Sequence, residues 1–199
     1  MATKTDELVG KELLLEVACD LFMEAGYDGV SMQQIAEAAH MTKGSPYYHF
    51  KGKDDLFAQA FVHRTQQMHD GMVGVLVGSG DIRERLVRAV SFLLREVDAG
   101  MIRFMEDCKR HLPAETMESE QAFNPEALLD IYTPIFEEAA TTIGLRIPAK
   151  RAAIVFFAMQ MGTLHAMHLT GELSDAPAEI ERVATETVDC FLYGTAATA

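Results

Sequence analysis

The amino-acid sequence predicts an all-α protein, a small N-terminal three-helix head followed by a larger helical body, with about nine helices in all. Three observations predict it. Apolar residues recur at three- and four-residue steps along most of the chain, and no run of β-branched or aromatic residues alternates in strand fashion. Helix start and stop chemistry, in the form of capping boxes, proline at first positions and glycine after last ones, punctuates the chain throughout. A length of 199 residues at 49% hydrophobic and 24% charged suits one or two globular domains with a sizeable core.

The elements follow in order. Leu8, Leu15, Ala18, Cys19, Phe22 and Ala25 share one face of a first helix, which Gly26 closes. After the turn residues Tyr27-Asp28-Gly29, Ser31 and Gln34 make a capping box for a short second helix from Met32 to about Ala39. Thr42 is placed to cap a third, Lys43 to about Phe50, and Lys51-Gly52 breaks it. A longer fourth helix over 53–76 leads out of the head, and glycines cluster around its end at 71, 74, 78 and 80. Asp81 and Glu84 form a second capping box, opening a helix through about Val97. Gly100 separates it from another, Met101 to about His111, ended by Pro113. Residues 114–123 read as an acidic loop, and Asn124-Pro125 starts a helix to about Ile143, with Pro134 expected to kink it. Pro148 precedes a helix over 149–170 stopped by Gly171, and Asp175-Ala176-Pro177 opens the last, 177–193. The expected domains are 1–52 and 53–199, joined by helix 53–76.

Composition excludes several functions. No segment reaches the roughly 20 clean apolar residues of a membrane span, and the N-terminus lacks the apolar core of a secretory signal. Cys19, Cys108 and Cys190 are odd in number and widely spaced, so they form neither a disulfide framework nor a zinc ribbon. A cytoplasmic location is expected. Seventeen Lys and Arg against 30 Asp and Glu leave a net charge of −13, which argues against a protein that coats nucleic acid non-specifically. The charge is unevenly spread. Between Glu37 and Asp54 there is no acid, while Lys43, Lys51 and Lys53 sit there with His40 and His49, a local charge of +3.

Three short helices joined by tight turns, with Val30, Ile35, Ala36, Ala39 and Phe50 as a small core, suggest a helix-turn-helix. Lys43, Gly44, Ser45, Tyr47 and Tyr48 then lie on the exposed side of the third helix. Gly44 lets a backbone approach DNA closely, Thr42 and the helix N-terminus can donate to a phosphate, and Lys43 can reach a guanine edge or a phosphate. Tyr47 and His49 can donate to the sugar-phosphate backbone, and Lys53 adds a cation at the start of the fourth helix.

Residues 26–56 carry a longer pattern: Gly26-Tyr27, Val30-Ser31-Met32, Ile35-Ala36, Ala39, Lys43-Gly44-Ser45, Tyr47-Tyr48-His49-Phe50, Lys53 and Leu56. This pattern closely resembles the head of the tetracycline-repressor (TetR) family. The resemblance implies a homodimeric, ligand-responsive transcriptional repressor that binds a palindromic double-stranded operator and is released by a small molecule in its body domain. It further implies that Ser31, Gln33 and Lys43 to Ser45 are groove or backbone contacts, and that Tyr47, Tyr48, His49 and Lys53 position phosphates. Two residues depart from the pattern. His40 stands where glycine is usual between the second and third helices, and Pro46 where leucine is common, which puts the first turn of the third helix in question.

The body is rich in aromatic residues and methionine, and Met101, Phe104, Met105, Tyr132, Phe136, Phe157, Met161 and His165 are the candidate lining of a site for a small lipophilic or aromatic effector. Individually each also suits an ordinary core. His165 and His168, at i and i+3, would need Glu172 or His111 to hold a metal, and no further ligand is spaced to help, so no metal and no cofactor is expected. Helices 149–170 and 177–193 are apolar enough to pair with their twofold mates, and such pairing would set the recognition helices about 34–36 Å apart. No nucleophile motif, phosphate-binding loop or HExxH supports an enzyme. The alternative is a ligand-binding or metal-binding helical protein without operator binding.

Overall fold

The computed structural model describes residues 4–113, 125–172 and 176–195. The acidic loop expected over 114–123 and the caps expected from Asn124 and Asp175 lie outside them. The described residues form helices α1 (Lys4–Gly29), α2 (Met32–Ala38), α3 (Ser45–His49), α4 (Lys53–Val77), α5 (Ile82–Glu96), α6 (Ala99–His111), α7 (Pro125–Thr142), α8 (Ala149–Thr170) and α9 (Pro177–Thr195). No strand occurs among them.

The chain divides into two compact units, residues 1–67 with 99–124, and residues 68–98 with 125–199. This differs from the 1–52 and 53–199 division read from sequence, because α6 packs on α1 and joins the first unit. In that unit Leu14, Ala18, Phe22, Ile35, Ala36, Leu56, Phe57 and Phe61 are fully or almost fully buried, and α6 adds Met101, Phe104 and Cys108. Phe104 lies 5.1 Å from Phe57 and 5.6 Å from Phe61, ring to ring, and Phe22 meets Phe57 edge-on at 4.7 Å. Each such ring contributes about 1.5–3 kcal/mol by burial, and each pair about 0.5–1.5 more.

The local signals act where they are written. Ser31 Oγ accepts from the Gln34 N–H while the Gln34 carboxamide accepts from the Ser31 N–H at 2.8 Å, closing the box at the start of α2. Asp81 and Glu84 do the same for α5. Gly26 leaves the helical region at φ 72°, ψ 171°, a conformation that L side chains rarely adopt. At the end of α2, His40 N–H reaches Glu37 O and Met41 N–H reaches Ala36 O, a Schellman closure with His40 at φ 56° in the position glycine usually fills.

Two boundaries differ from expectation. α3 starts at Ser45 rather than Lys43, with Gly44 as its N-cap and no side-chain cap bond. Pro46 is the reason. Its ring crowds the carbonyl four residues back, so Thr42–Gly44 cannot form a preceding helical turn. Thr42 caps nothing with its side chain, and its Oγ1 lies 2.9 Å from Ser45 Oγ. α6 begins at Ala99, so Gly100 sits in its first turn and the break falls at Val97–Asp98. α7 continues through Pro134, and both Pro134 and Asp130, whose carbonyl the proline leaves without its helical donor, are exposed residues.

In the second unit α5 packs on α9, and α7 on α8. Tyr132, Phe136, Phe156 and Phe191 form its aromatic centre, with Phe156 edge-on to Phe191 at 5.0 Å. The Arg85 guanidinium donates to Leu76 O and to Glu138, both at 2.7 Å, tying the end of α4 to α5 and α7. Among the described residues α8 alone is long and apolar enough by composition to cross a membrane, with mean hydropathy 1.3, but its Phe156, Gln160 and Leu164 are buried in the core of this unit.

Candidate functional site

The head presents two groups of exposed side chains. From α2 and its cap come Ser31 and Gln33. Gln33 is bonded to Glu37 at 2.7 Å, and Ser31 is engaged in the box. From the turn and α3 come Thr42, Lys43, Gly44, Tyr47 and Tyr48, all exposed, the two tyrosines at 62% and 68%. Gly44 has ordinary right-handed helical backbone, and a Cβ built there meets nothing within 4 Å. Neither the conformation nor the packing of this chain requires glycine at 44, so the position stays open to a close approach from outside.

Three predicted contacts are placed differently from the rest. Ser45 is half-buried at the first turn of α3. His49 is half-buried against α1, close to Gly10, and meets the Tyr48 ring edge-on at 5.0 Å. Lys53 holds its Nζ 3.9 Å above the Tyr27 ring, a cation–π contact that commits its charge within the unit. Tyr27 is a junction. Its hydroxyl bonds Asp54, its ring stacks on His111 of α6 at 4.2 Å, and its N–H donates to Asp107 of α6 at 2.7 Å. Burial, reinforced by the Asp54 carboxylate, pushes the Tyr27 phenol up to about 12.

The candidate ligand-lining residues do not fall into one unit. Met101, Phe104 and Met105 belong to the first, where Phe104 completes the Phe22, Phe57 and Phe61 cluster. Tyr132, Phe136, Phe157 and Met161 belong to the second, the first two buried and the other two half-buried. His165 is exposed, as is His168, so the expectation that one of them lines a pocket is corrected. No group of three or more His, Cys, Asp and Glu positioned for a metal occurs among the described residues. An open groove of about 760 Å³ runs between α8 and α9, but Glu172, Glu179, Arg182 and Glu186 line it. Arg182 is paired with both Glu179 and Glu186, so these polar walls do not suit a lipophilic molecule.

One residue of interest escaped the sequence reading. Gln160 is 2% exposed and accepts a hydrogen bond from the Tyr132 hydroxyl at 2.8 Å. The signal was present: Gln160 stands four residues from both Phe156 and Leu164, at the centre of an otherwise apolar helix face.

The head has the arrangement of a helix-turn-helix, with a capped second helix, an exposed lysine in the turn and two exposed tyrosines on the third helix. Residues 14–60 match the bacterial regulatory proteins of the tetR family. The transcriptional regulator AcrR of Shigella flexneri is 40% identical over 57 residues, 29% of this chain and 26% of AcrR. The matched part thus spans about a quarter of that relative's length. A Mesorhizobium loti chain described as a TetR-family transcriptional regulator superposes with a TM-score of 0.77 at 22% identity, covering 98% of this chain and 100% of that one. SmeT, the repressor of the multidrug efflux pump SmeDEF of Stenotrophomonas maltophilia, in its complex with triclosan, gives 0.66 at 24% identity over 96% of this chain and 93% of SmeT. The similarity to the tetR family thus lies in residues 14–60, and nearly the whole chain has the fold of these structures.

Proposed function

We propose that this protein is a ligand-responsive transcriptional repressor. Two copies grip a palindromic operator through α3 and the turn before it, and a small lipophilic effector held by the second unit releases them. The observation that carries this reading is the rim at 42–48, where Lys43, Gly44 and Tyr47 are exposed beside a core of buried Val30, Ile35, Ala36, Ala39 and Phe50. Thr42, Ser31, Gln33 and Tyr48 extend that rim, while Ser45, His49 and Lys53 support it from partly buried positions. The net charge of −13 opposes binding by one subunit, so two locally positive windows held by one dimer must act together.

Dimerisation is supported by α8. Its outer side exposes Ile154 at 45%, Val155 at 37% and Leu169 at 71%, with Ala158, Gly162 and Ala166 between them, an apolar strip suited to a second copy. The triclosan held by SmeT, a protein of the same fold, supports a small aromatic effector here. The effector must prefer the DNA-incompetent spacing of the heads, and α4, continuous from one unit into the other, is the element that would shift, with a coupling of about 1–3 kcal/mol. Such a regulator works in the cytoplasm.

The test is a gel shift on the DNA upstream of the protein's own gene, over a range of salt, with wild type, Lys43→Ala and Tyr47→Ala. Losing one phosphate contact per subunit lowers the log–log salt slope by about 2 for the dimer. Wild-type binding by both variants would remove α3 as the reading element.

A further inference from the structure

We infer that Gln160 is the polar anchor of the effector site in the second unit, and that its ligand is a neutral, largely aromatic molecule presenting one hydrogen-bond acceptor. This rests on the reading that the second unit takes a small effector. Gln160 lies in the buried row Phe156-Gln160-Leu164 of α8. A carboxamide offers two acceptor sites and two donors. Its oxygen takes the Tyr132 hydroxyl at 2.8 Å, but its Nε2, buried from solvent, has no partner among the described residues. Tyr132 is itself 2% exposed, and its hydroxyl lies 3.5 Å from Met72 Sδ. Around the pair stand Phe156, edge-on to Tyr132 at 5.6 Å, and Phe157 at 6.5 Å. Leucine or methionine would fill this place without an orphaned donor. An amide kept there with its two hydrogens unpartnered, next to a tyrosine set among aromatic and thioether groups, fits an acceptor that arrives from outside the chain.

The charge of that acceptor follows from what else is buried. The buried polar side chains of this unit are Ser91, Gln160 and Thr187, with no buried Arg or Lys among the described residues. The Arg85 guanidinium is already held by Leu76 O and Glu138. An anion would enter without a counter-charge and lose its hydration, so the acceptor is a ketone, quinone, ether or amide oxygen. Phe157 and Met161, half-buried on one flank of the same helix face, are side chains able to reorient around a flat ring.

Three probes test this on the full chain: benzophenone, diphenylmethane, which lacks only the carbonyl, and 2-benzoylbenzoate, which adds a carboxylate. Affinities are measured by calorimetry, and the side-chain amide of Gln160 is followed by nitrogen-15 NMR. Benzophenone should bind at least about tenfold tighter than diphenylmethane and tighter than 2-benzoylbenzoate, and only benzophenone should move the Gln160 amide signals. In Gln160→Met, which keeps the volume, and in Tyr132→Phe, which frees the amide from its partner, the preference should fall below about threefold. Equal binding of the two neutral probes overturns the inference. So does a preference that survives Gln160→Met, or an amide that contacts bound water and ignores benzophenone. Binding of neither probe by a protein that still holds its operator also overturns it, while leaving the DNA-binding reading intact. Discriminating benzophenone binding by a protein that ignores its operator has the opposite meaning: the anchor stands and the repressor reading falls.

Discussion

Replacing Gly26 by alanine tests the hinge on which the first unit is built. Gly26 sits at φ 72°, ψ 171°, where the chain leaves the regular part of α1 and the next N–H, that of Tyr27, is delivered to Asp107 of α6 at 2.7 Å. A side chain in this region of backbone space costs about 1–3 kcal/mol. Alanine recovers about 0.4–1 kcal/mol by stiffening the unfolded chain. The new Cβ would stand 3.1 Å from Asp107 Oδ2, a contact that only a shift of the carboxylate relieves, and that carboxylate also accepts from Arg110 at 3.1 Å. Relieving the clash therefore loosens a hydrogen bond to a charged acceptor, of about 1.5–3 kcal/mol. Taken together, a loss of about 2 kcal/mol is expected, or a fall in melting temperature of about 4–8 °C for a chain of this size. Thermal unfolding followed by circular dichroism measures it. Asp107→Ala alone should destabilise by a similar amount, and the double variant by less than the sum, since both act on one contact. A Gly26→Ala protein that melts with wild type, or strict additivity with Asp107→Ala, would refute the role assigned to the Gly26 conformation and the Asp107 hook.

Further outcomes follow from other contacts. Gly162 on α8 is exposed, and a Cβ there meets nothing within 4 Å, so Gly162→Glu should leave the monomer folded yet convert a dimer to monomer in sedimentation and weaken operator binding at least about tenfold; a dimer that persists removes α8 from the interface. Burial opposes ionisation of Asp55, but the Lys51 N–H at 2.8 Å and the Gln59 amide at 2.9 Å outweigh it and hold its carboxyl below the ordinary range. Its folded value being the lower one, that stabilisation is present above about pH 4 and lost as pH falls through the folded value. The melting-temperature gap between wild type and Asp55→Asn should accordingly narrow as the pH falls below about 4, and a constant gap would contradict this. Burial raises the Cys19 thiol to about 12, with Sγ donating to Ala60 O at 3.1 Å, and raises Cys108 as well. Both should resist a thiol reagent at neutral pH until guanidinium unfolds the chain, and rapid labelling of either in the native protein would contradict that burial.

Much of the fold was legible because helix limits are local events. Ser31 with Gln34, Asp81 with Glu84, and Gly171 at φ 71° each act within four residues of themselves, so their pattern is visible before any long-range contact forms. The exposed rim at 42–48 was legible for a similar reason, since what matters there is which side chains a short helix leaves outside. Pro46 marked the trouble at the start of α3 but not how far the helix would retreat.

The amino-acid sequence by itself determined the order of the helices, the capping boxes of α2 and α5 and the exposed side chains at 42–48, because those depend on neighbours along the chain. Only the tertiary structure decided which unit α6 joins, that Phe104 completes the Phe22 and Phe57 cluster, that Lys53 lies over Tyr27, and that Gln160 faces Tyr132. An apolar helix face records that it will be buried but not against what, and partners 28 to 82 residues apart, as Tyr132 with Gln160 and Phe22 with Phe104, are chosen by packing in three dimensions.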